Sequence, residues 1–251
     1  MLNRSASQSD RALPQLSAPV KKVARTRPDT AREMPGSRER ILQVATVEFA
    51  QHGANGARIE RIASEAKVNV RMIYHHFGSK DDLFLTVLEE AYRVIRQSER
   101  DLQLDTLTPN EGIRSLVRFS WNYYFAHPEF TALLNSENLQ EGRHVARSQK
   151  LASVNSPLLD ALTRLLDRGA REGVFRADAD PMQVYVSISA LGYFYVSNRY
   201  TLSAFFQRDL MSPDCLDARL AHVTDMVLAY LCERPDPPMT QQTRSASATT
   251  A

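Results

Sequence analysis

The sequence is poor in cysteine and lacks long apolar runs. Only two of its 251 residues are cysteines, Cys215 and Cys232, which excludes a disulfide framework and the ligand spacing of a zinc finger. The apolar stretches are all far shorter than the ~20 residues that a membrane-spanning helix requires. Residues 1–29 are polar and have no apolar central segment, so we expect no signal peptide. These absences predict a cytoplasmic protein without a membrane partner.

Sequence patterns of catalytic and metal sites are missing as well. We find no phosphate-binding loop and no spacing typical of a nucleophile paired with a general base. The motif Glu141-x-x-His144 occurs once, whereas a di-iron helical bundle needs two copies. His75 and His76 are adjacent, and on a helix their side chains would point ~100° apart. We therefore expect no catalytic residue, no metal and no cofactor.

Positive charge is concentrated near the N-terminus, although the net charge is only +2. Residues 1–36 contain seven Lys or Arg and three Asp or Glu, and residues 37–80 contain seven and four. Residues 81–251 contain seventeen basic and twenty-two acidic residues. A basic N-terminal part on an acidic body is typical of a protein that binds a polyanion, and a solvent-exposed basic surface is the alternative.

The composition divides the chain into four parts. Residues 1–36 are rich in Ser, Pro, Arg and Ala without a period, and residues 235–251 are also polar, so both segments are expected to be disordered. The basic arm is a solvated extension in the simplest interpretation, and insertion into a DNA minor groove is the alternative. Between these segments the pattern predicts a small domain over 37–82 and a larger helical domain over 83–234.

The body of the chain is expected to be all-α. Apolar periodicity and capping residues predict helices over 37–52, 59–66, 70–77, 109–126, 128–141, 146–172, 181–206 and 213–233, and a long helix that begins after Ser79. Ser37 is the expected N-cap of the first helix, and Gly53 is expected to end it. Val184–Ser189 alternates as a strand would, but we predict a helix because the chain offers no partner strand.

Two short helical patterns joined by a tight turn occupy residues 59–78. The first has a buried stripe at helical spacing, made of Ile59, Ile62, Ala63 and Ala66. The second would bury Val70, Ile73 and Phe77, with Asn69 as its N-cap. These are the dimensions of a DNA-binding helix-turn-helix, in which the second helix lies in the major groove.

The outward face of the second helix carries side chains suited to DNA. Arg71 can donate two hydrogen bonds to guanine O6 and N7, and Met72 can pack against a thymine methyl group. Tyr74 and His75 have the reach for phosphate or base contacts, and Lys80 suits a backbone phosphate. The predicted DNA-contacting set is Arg58, Asn69, Arg71, Met72, Tyr74, His75 and Lys80.

Short motifs surround this turn. They are Ala45, Phe49 and Gly53 in the preceding helix, Ile62-Ala63-x-x-Ala66, and Tyr74-His75-His76-Phe77-Gly78-Ser79-Lys80-Asp81-Asp82-Leu83. Over residues 37–85 the pattern resembles the signature of the TetR/AcrR family of helix-turn-helix transcriptional regulators. It departs from that signature at Lys67, where the family often has Gly, so the turn must form without the freedom of Gly at positive φ. It also departs at Arg71, where the family often has a small residue, which argues for a distinct operator.

The resemblance implies a homodimer in which two recognition helices read a palindromic operator in double-stranded DNA, with half-sites about one helical turn apart. It also implies a C-terminal ligand-binding and dimerisation domain, with helices 181–206 and 213–233 at the dimer interface. The latter helix carries an apolar stripe that fits either the core or that interface, made of Leu216, Leu220, Val223, Val227 and Leu231. A small-molecule effector in this domain would change the separation of the recognition helices and weaken DNA binding.

Aromatic and polar residues of the middle helices are candidates for the effector pocket. The predicted set is Trp121, Tyr124, Asn135, Asn138 and Tyr193. An ordinary core with a polar turn is the alternative for this cluster. Together the residues and the resemblance predict a transcriptional repressor that a small molecule releases from its operator. The competing hypotheses are a helical enzyme or metalloprotein and a regulator without an inducer.

Overall fold

Helices follow one another through the part of the chain that the computed structural model describes, residues 36–154 and 156–232 without the side chains of 152–156, and no strand occurs there. The helices are α1 (Ser37–Gly56), α2 (Ile59–Glu65), α3 (Val70–Phe77), α4 (Lys80–Arg100), α5 (Pro109–Ala126), α6 (Pro128–Asn138), α7 (Gln149–Val154), α8 (Ser156–Arg171), α9 (Pro181–Ser197), α10 (Arg199–Phe206) and α11 (Pro213–Cys232). None of the described helices is long and apolar enough to cross a membrane. Apart from Gly36, the predicted arm and tail lie outside the described residues.

The first turns of α3 and α4 have the predicted capping residues. The Asn69 side chain accepts a hydrogen bond from the backbone N–H of Met72 at 2.9 Å. The Ser79 hydroxyl accepts one from the backbone N–H of Asp82 at 3.0 Å. Each cap satisfies a donor that the helix itself leaves without a partner, so both helices begin where the sequence predicts.

The ends of α1 differ in how well the sequence predicts them. Gly53 interrupts the helix as expected, with φ 67° and ψ 175°. The prediction that Ser37 is the N-cap is wrong, because Gly36 occupies that position and makes no side-chain cap. The Ser37 hydroxyl is instead hydrogen-bonded to Nε2 of His76 at 2.9 Å. A contact with α3, thirty-nine residues away, therefore replaces the local cap.

The predicted helix 128–141 is too long, because a carboxylate turns the chain at its end. Glu137 Oε1 accepts hydrogen bonds from the backbone N–H groups of His144 at 2.8 Å and Val145 at 2.9 Å. Glu141 adopts φ 58° in the left-handed region. The buried carboxylate thus draws the following loop back toward α6 and ends the helix.

Two further predicted helices are each divided in two. The range 146–172 contains α7 and α8, and Pro157 lies in the first turn of α8, where its missing N–H is tolerated but a preceding helix cannot continue. The range 181–206 contains α9 and α10, which are separated at Asn198. The Asn198 side chain donates a hydrogen bond to the carbonyl oxygen of Phe194 at 2.9 Å and so competes with the helical backbone.

The first apolar core joins α1, α2, α3 and the start of α4. Its largest fully buried side chains are Ile41, Phe49, Ile62, Ile73, Leu83, Phe84, Leu88 and Leu133. The rings of Phe49 and Phe84 lie 4.9 Å apart between their centroids. Leu133 comes from α6, so this helix anchors the rest of the chain to the helix-turn-helix.

A second core joins α5, α8, α9 and α11. Val184 and Ile188, from the segment that alternates as a strand would, are helical, as predicted, and their side chains are buried in this core. Val223, Val227 and Leu231 of α11 are buried in the same core. Most of the apolar stripe on α11 therefore packs within its own chain.

Candidate DNA-binding surface and ligand cavity

The turn between α2 and α3 forms without glycine. Lys67 adopts φ 55°, in the left-handed region that a lysine rarely enters. The backbone N–H of Val68 donates to the carbonyl oxygen of Ala63 at 3.0 Å, and that of Lys67 donates to Ser64 at 3.2 Å. These two bonds satisfy carbonyl groups at the end of α2 and set the direction in which α3 begins.

One face of α3 is held in the first core and the other is exposed. Ile73 is fully buried and Phe77 nearly so. Arg71, Tyr74 and His75 are exposed, and 47% of the Tyr74 surface is accessible. Their spacing of three and four residues places them on one face of the helix. Met72, predicted to face outward, is half-buried and packs against the core.

The remaining residues of the predicted DNA-contacting set flank α3 in the chain. Arg58 is exposed at the N-cap of α2, and its backbone N–H donates to Oε1 of buried Glu48 at 2.9 Å. The Lys80 ammonium donates to the carbonyl oxygen of Asn55 at 3.0 Å and joins the start of α4 to the end of α1. Asn69 is exposed, but its side chain caps α3. Asn69 and Lys80 thus both have structural roles. The role of Asn69 as a cap was predicted, and that of Lys80 was not.

Sequence reasoning missed the contacts made by the start of α1. Nε of Arg40 donates to the carbonyl oxygen of Ala66 at 3.4 Å, at the end of α2. The Arg38 guanidinium lies 5.2 Å from the centroid of the Phe77 ring on α3. Both arginines contributed to the basic charge of residues 37–80, but charge alone did not show that they position the helix-turn-helix.

A cavity of about 510 Å³ lies between α4, α5, α6 and α9. Its lining residues are Tyr92, Ile95, Arg96, Tyr124, Phe130, Leu134, Asn138, Tyr185, Val186, Ser189, Ala190 and Tyr193. Three residues of the predicted pocket set, Tyr124, Asn138 and Tyr193, are among them. The volume lies within the range of small-molecule sites, roughly 300–1,000 Å³.

The other two predicted pocket residues do not line the cavity. Asn135 is adjacent to it, because its side-chain oxygen accepts a hydrogen bond from the Tyr193 hydroxyl. Trp121 is buried elsewhere, with its ring centroid 5.0 Å from that of Phe125 and 5.4 Å from that of Tyr195. The sequence identified the aromatic cluster on α5, but it could not show which side of the helix faces the cavity.

The strongest charge in the cavity wall was missed. Arg96 is only 5% exposed, and its Nη1 donates to both carboxylate oxygens of Glu99 at 2.6 and 2.5 Å. Its Nη2 donates to the Tyr185 hydroxyl at 2.7 Å. Burial raises the pKa of the Glu99 carboxyl, and the Arg96 charge opposes that rise. Burial likewise raises the pKa of the Tyr124 hydroxyl.

An apolar groove of about 620 Å³ follows the outer faces of α9 and α11. Its lining includes Ala190, Leu191, Met226 and Tyr230. Met226 and Tyr230 are large apolar side chains that remain exposed. Ala190 lines both the groove and the cavity, so the two lie next to each other on α9.

Two family models match most of the described chain. The model described as bacterial regulatory proteins, tetR family, matches residues 41–87 and so includes α2 and α3. The model described as tetracyclin repressor-like, C-terminal domain, matches residues 109–227 and so includes α5, α6 and α9. The matches therefore cover the helix-turn-helix and three of the four helices around the cavity.

Individual relatives are transcriptional regulators. The HTH-type transcriptional repressor NicS of Pseudomonas putida is 40% identical over 201 residues, which cover 80% of this chain and 95% of that protein. The HTH-type transcriptional repressor SCO4008 of Streptomyces coelicolor is 37% identical over 112 residues, 45% of this chain and 55% of that protein. The solved structure of the fatty acid degradation regulator FadR from Bacillus halodurans has a TM-score of 0.60 at 21% identity and covers 78% of this chain and 97% of that chain. At that identity the structural likeness establishes the fold alone.

Proposed function

The chain belongs to the tetR family of bacterial regulatory proteins, and we propose that it is a homodimeric repressor that a small-molecule effector releases from a palindromic operator. Members of this family and the relatives above are transcriptional regulators that bind DNA, not enzymes. Binding to chromosomal DNA requires a cytoplasmic location. The proposal needs no metal or cofactor.

The exposed face of α3 is the observation that carries the proposal. Ile73 and Phe77 hold one side of the helix in the core, so Arg71, Tyr74 and His75 project together from the other side. A guanidinium can recognise guanine in the major groove through two hydrogen bonds. The exposed phenol and imidazole can donate to phosphates or base edges, and Arg58 can pair with a phosphate.

A second copy of the chain fits the apolar groove on α9 and α11. Met226 and Tyr230 are exposed on this surface, and burying them against the same surface of a partner would remove apolar area from water. A two-fold dimer formed in this way presents two copies of α3 to DNA, which matches a palindromic site.

Two helices, α4 and α6, line the cavity and also connect directly to α3 or to the core that holds it. Helix α4 begins directly after the cap that follows α3, and its later residues Tyr92 and Arg96 line the cavity. Helix α6 buries Leu133 in the first core and presents Leu134 to the cavity. A ligand that moves α4 or α6 would therefore change the position of α3 and the population of the DNA-binding state.

Binding of Arg71→Ala to DNA tests the proposal. On the specific operator, first sought in the DNA that flanks the protein's own gene, we expect a loss of about 1–3 kcal/mol, because one base contact is removed. On random DNA across a salt series the loss should be small. Fluorescence anisotropy measures both. Arg118→Ala, at an exposed position on α5, is the matched control and should bind like the unmodified chain. Equal losses on both DNAs would show that Arg71 contacts only phosphate.

A further inference from the structure

We infer that the cavity between α4, α5, α6 and α9 binds an aromatic carboxylate, a planar apolar body with a single anionic group. The inference rests on the proposed function, because it names the chemical class of the effector for the same cavity. Three features of the cavity support the inference: the charge of its lining, its hydrogen-bonding groups and the aromatic rings of its walls.

The charge of the lining has one sign. Among the twelve described residues that line the cavity, Arg96 is the only Arg, Lys or His, and no Asp or Glu is among them. The carboxylate of Glu99 pairs with Arg96 but does not itself line this cavity. A ligand therefore meets the guanidinium side of the ion pair and not its carboxylate side, and this orientation of the pair favours an anion over a cation.

The polar groups of the lining include the donors of Arg96 and the hydroxyl group of Tyr185. Four tyrosines line the cavity, and the hydroxyl group of one of them, Tyr193, already donates to Asn135. The Tyr185 hydroxyl accepts from Arg96 at 2.7 Å, and the centroid of the Tyr185 ring lies 5.2 Å from the guanidinium carbon. Because its lone pair is engaged by Arg96, the Tyr185 hydroxyl can donate to a ligand. A carboxylate only accepts hydrogen bonds and is therefore the ligand group that such a surface suits best.

The arginine is positioned before any ligand arrives. Its two carboxylate contacts come from Glu99 on the same helix, and its hydroxyl contact comes from Tyr185 on α9. These contacts hold the guanidinium at the wall, so little side-chain freedom is lost when a ligand binds. The Glu99 carboxylate neutralises much of the Arg96 charge. Removing the negative charge of Glu99 should therefore strengthen the attraction between Arg96 and an anion.

The walls favour a flat apolar body. The Tyr92 and Phe130 rings meet edge to face at 5.6 Å, and the Tyr124 and Tyr193 rings do so at 5.9 Å. Aromatic walls of this kind pack against a planar ring by stacking and edge contacts. With one cationic side chain in about 510 Å³, the cavity suits one anionic group on an aromatic body.

Direct binding of two matched probes to the full chain tests the inference. 2-Naphthoate and its neutral amide, 2-naphthamide, have nearly the same shape and differ in charge, and their fluorescence or calorimetric titration reports the dissociation constants. We expect 2-naphthoate to bind at least tenfold more tightly. Equal affinities, tighter binding of the amide, or no binding of either probe would overturn the inference.

Variants then assign the preference to the cavity. The double variant Arg96→Gln, Glu99→Gln removes both charges and leaves no lone buried ion, and circular dichroism checks its helical content. It should lose at least tenfold in affinity for 2-naphthoate and less than twofold for 2-naphthamide. Glu99→Gln alone should bind 2-naphthoate more tightly than the unmodified chain does. Weaker binding by Glu99→Gln would contradict the charge-sharing argument.

A matched control and a DNA measurement complete the design. Arg118→Gln removes an exposed arginine beside a different surface pocket and should leave both affinities unchanged. A loss of 2-naphthoate binding there would place the anion outside the cavity and overturn the inference. Operator binding without probe is measured in the same samples. If the operator binds and 2-naphthoate shows no preference, the inference alone fails, whereas absence of specific DNA binding contradicts the proposed function.

Discussion

The helix-turn-helix and the C-terminal helices handle their apolar surface in opposite ways. In α1–α3 the large apolar side chains of the stripes, such as Phe49, Ile62 and Ile73, are fully buried within the chain. In α9–α11 many large apolar side chains stay exposed, namely Met182, Val186, Phe194, Tyr200, Phe205, Phe206, Met226 and Tyr230. The stripes of the first region are buried in a core that α4 and α6 complete, whereas the second region presents apolar surface suited to another molecule.

Helix α10 is the clearest case of the second kind. It has eight residues, none of them buried, and Phe205 is 81% exposed. A helix this short is marginal in water on its own and gains its stability from packing. The contrast with α3, which has the same length and buries Ile73 and Phe77, shows that length alone does not separate the two regions.

The largest difference between the regions is expected for Phe49→Ala and Phe206→Ala. Phe49 is fully buried against Phe84, so its truncation should lower the free energy of unfolding by about 3–5 kcal/mol. Phe206 is 68% exposed, so its truncation should change the free energy of unfolding of the monomer by less than about 0.5 kcal/mol. Urea unfolding at low protein concentration measures both. Similar losses would mean that the Phe206 side chain is packed within the monomer in solution.

An intermediate difference is expected for charges placed on exposed apolar positions. Met226→Lys should weaken dimerisation at least tenfold, about 1.4 kcal/mol, because a two-fold interface would bury the new ammonium twice. Val47→Lys on α1 is the matched control, since Val47 is also exposed (54%, against 45% for Met226) but lies outside the groove, and it should not change association. Sedimentation velocity over a concentration series tests both variants. A dimer sensitive only to Val47→Lys would assign the interface to the other region.

The smallest effect concerns two residues with similar left-handed backbone conformations, one in the turn of the helix-turn-helix and one between α4 and α5. Lys67 has φ 55° and Gln103 has φ 48°. Glycine removes a steric cost of about 1–2 kcal/mol at such a position and adds an entropic cost of about 0.5–1 kcal/mol. Lys67→Gly and Gln103→Gly should each raise the free energy of unfolding by up to about 1 kcal/mol in thermal denaturation. A gain at Gln103 with a loss at Lys67 would reveal stabilising contacts of the lysine side chain.

The helix-turn-helix was predictable because its structure depends on near neighbours. Asn69 caps α3 through a residue three positions away, and Ile73 and Phe77 are buried at helical spacing. Errors occurred where a distant partner intervened. Ser37 bonds to His76 instead of capping α1, and Met72 packs against the core although its position suggested an outward side chain.

The cavity was less predictable because it is assembled from helices far apart in the chain. Tyr124 and Tyr193 were expected there and line it, whereas Trp121 packs away from it. Arg96 and Tyr185 were missed, since an arginine on a long amphipathic helix usually faces solvent. Its burial depends on α9, which brings Tyr185 against α4 from eighty-nine residues away.

Residue spacing and hydrogen bonds that span a few positions were enough to predict the all-α architecture, the two helices of the motif, the cap of α3 and the exposed position of Arg71. Packing between distant parts of the chain set which aromatic side chains surround the cavity. It also buried Arg96 in the cavity wall, where it pairs with Glu99. These features depend on contacts between helices that are far apart in the sequence. In such contacts burial and charge pairing outweigh the local helix propensity of each residue.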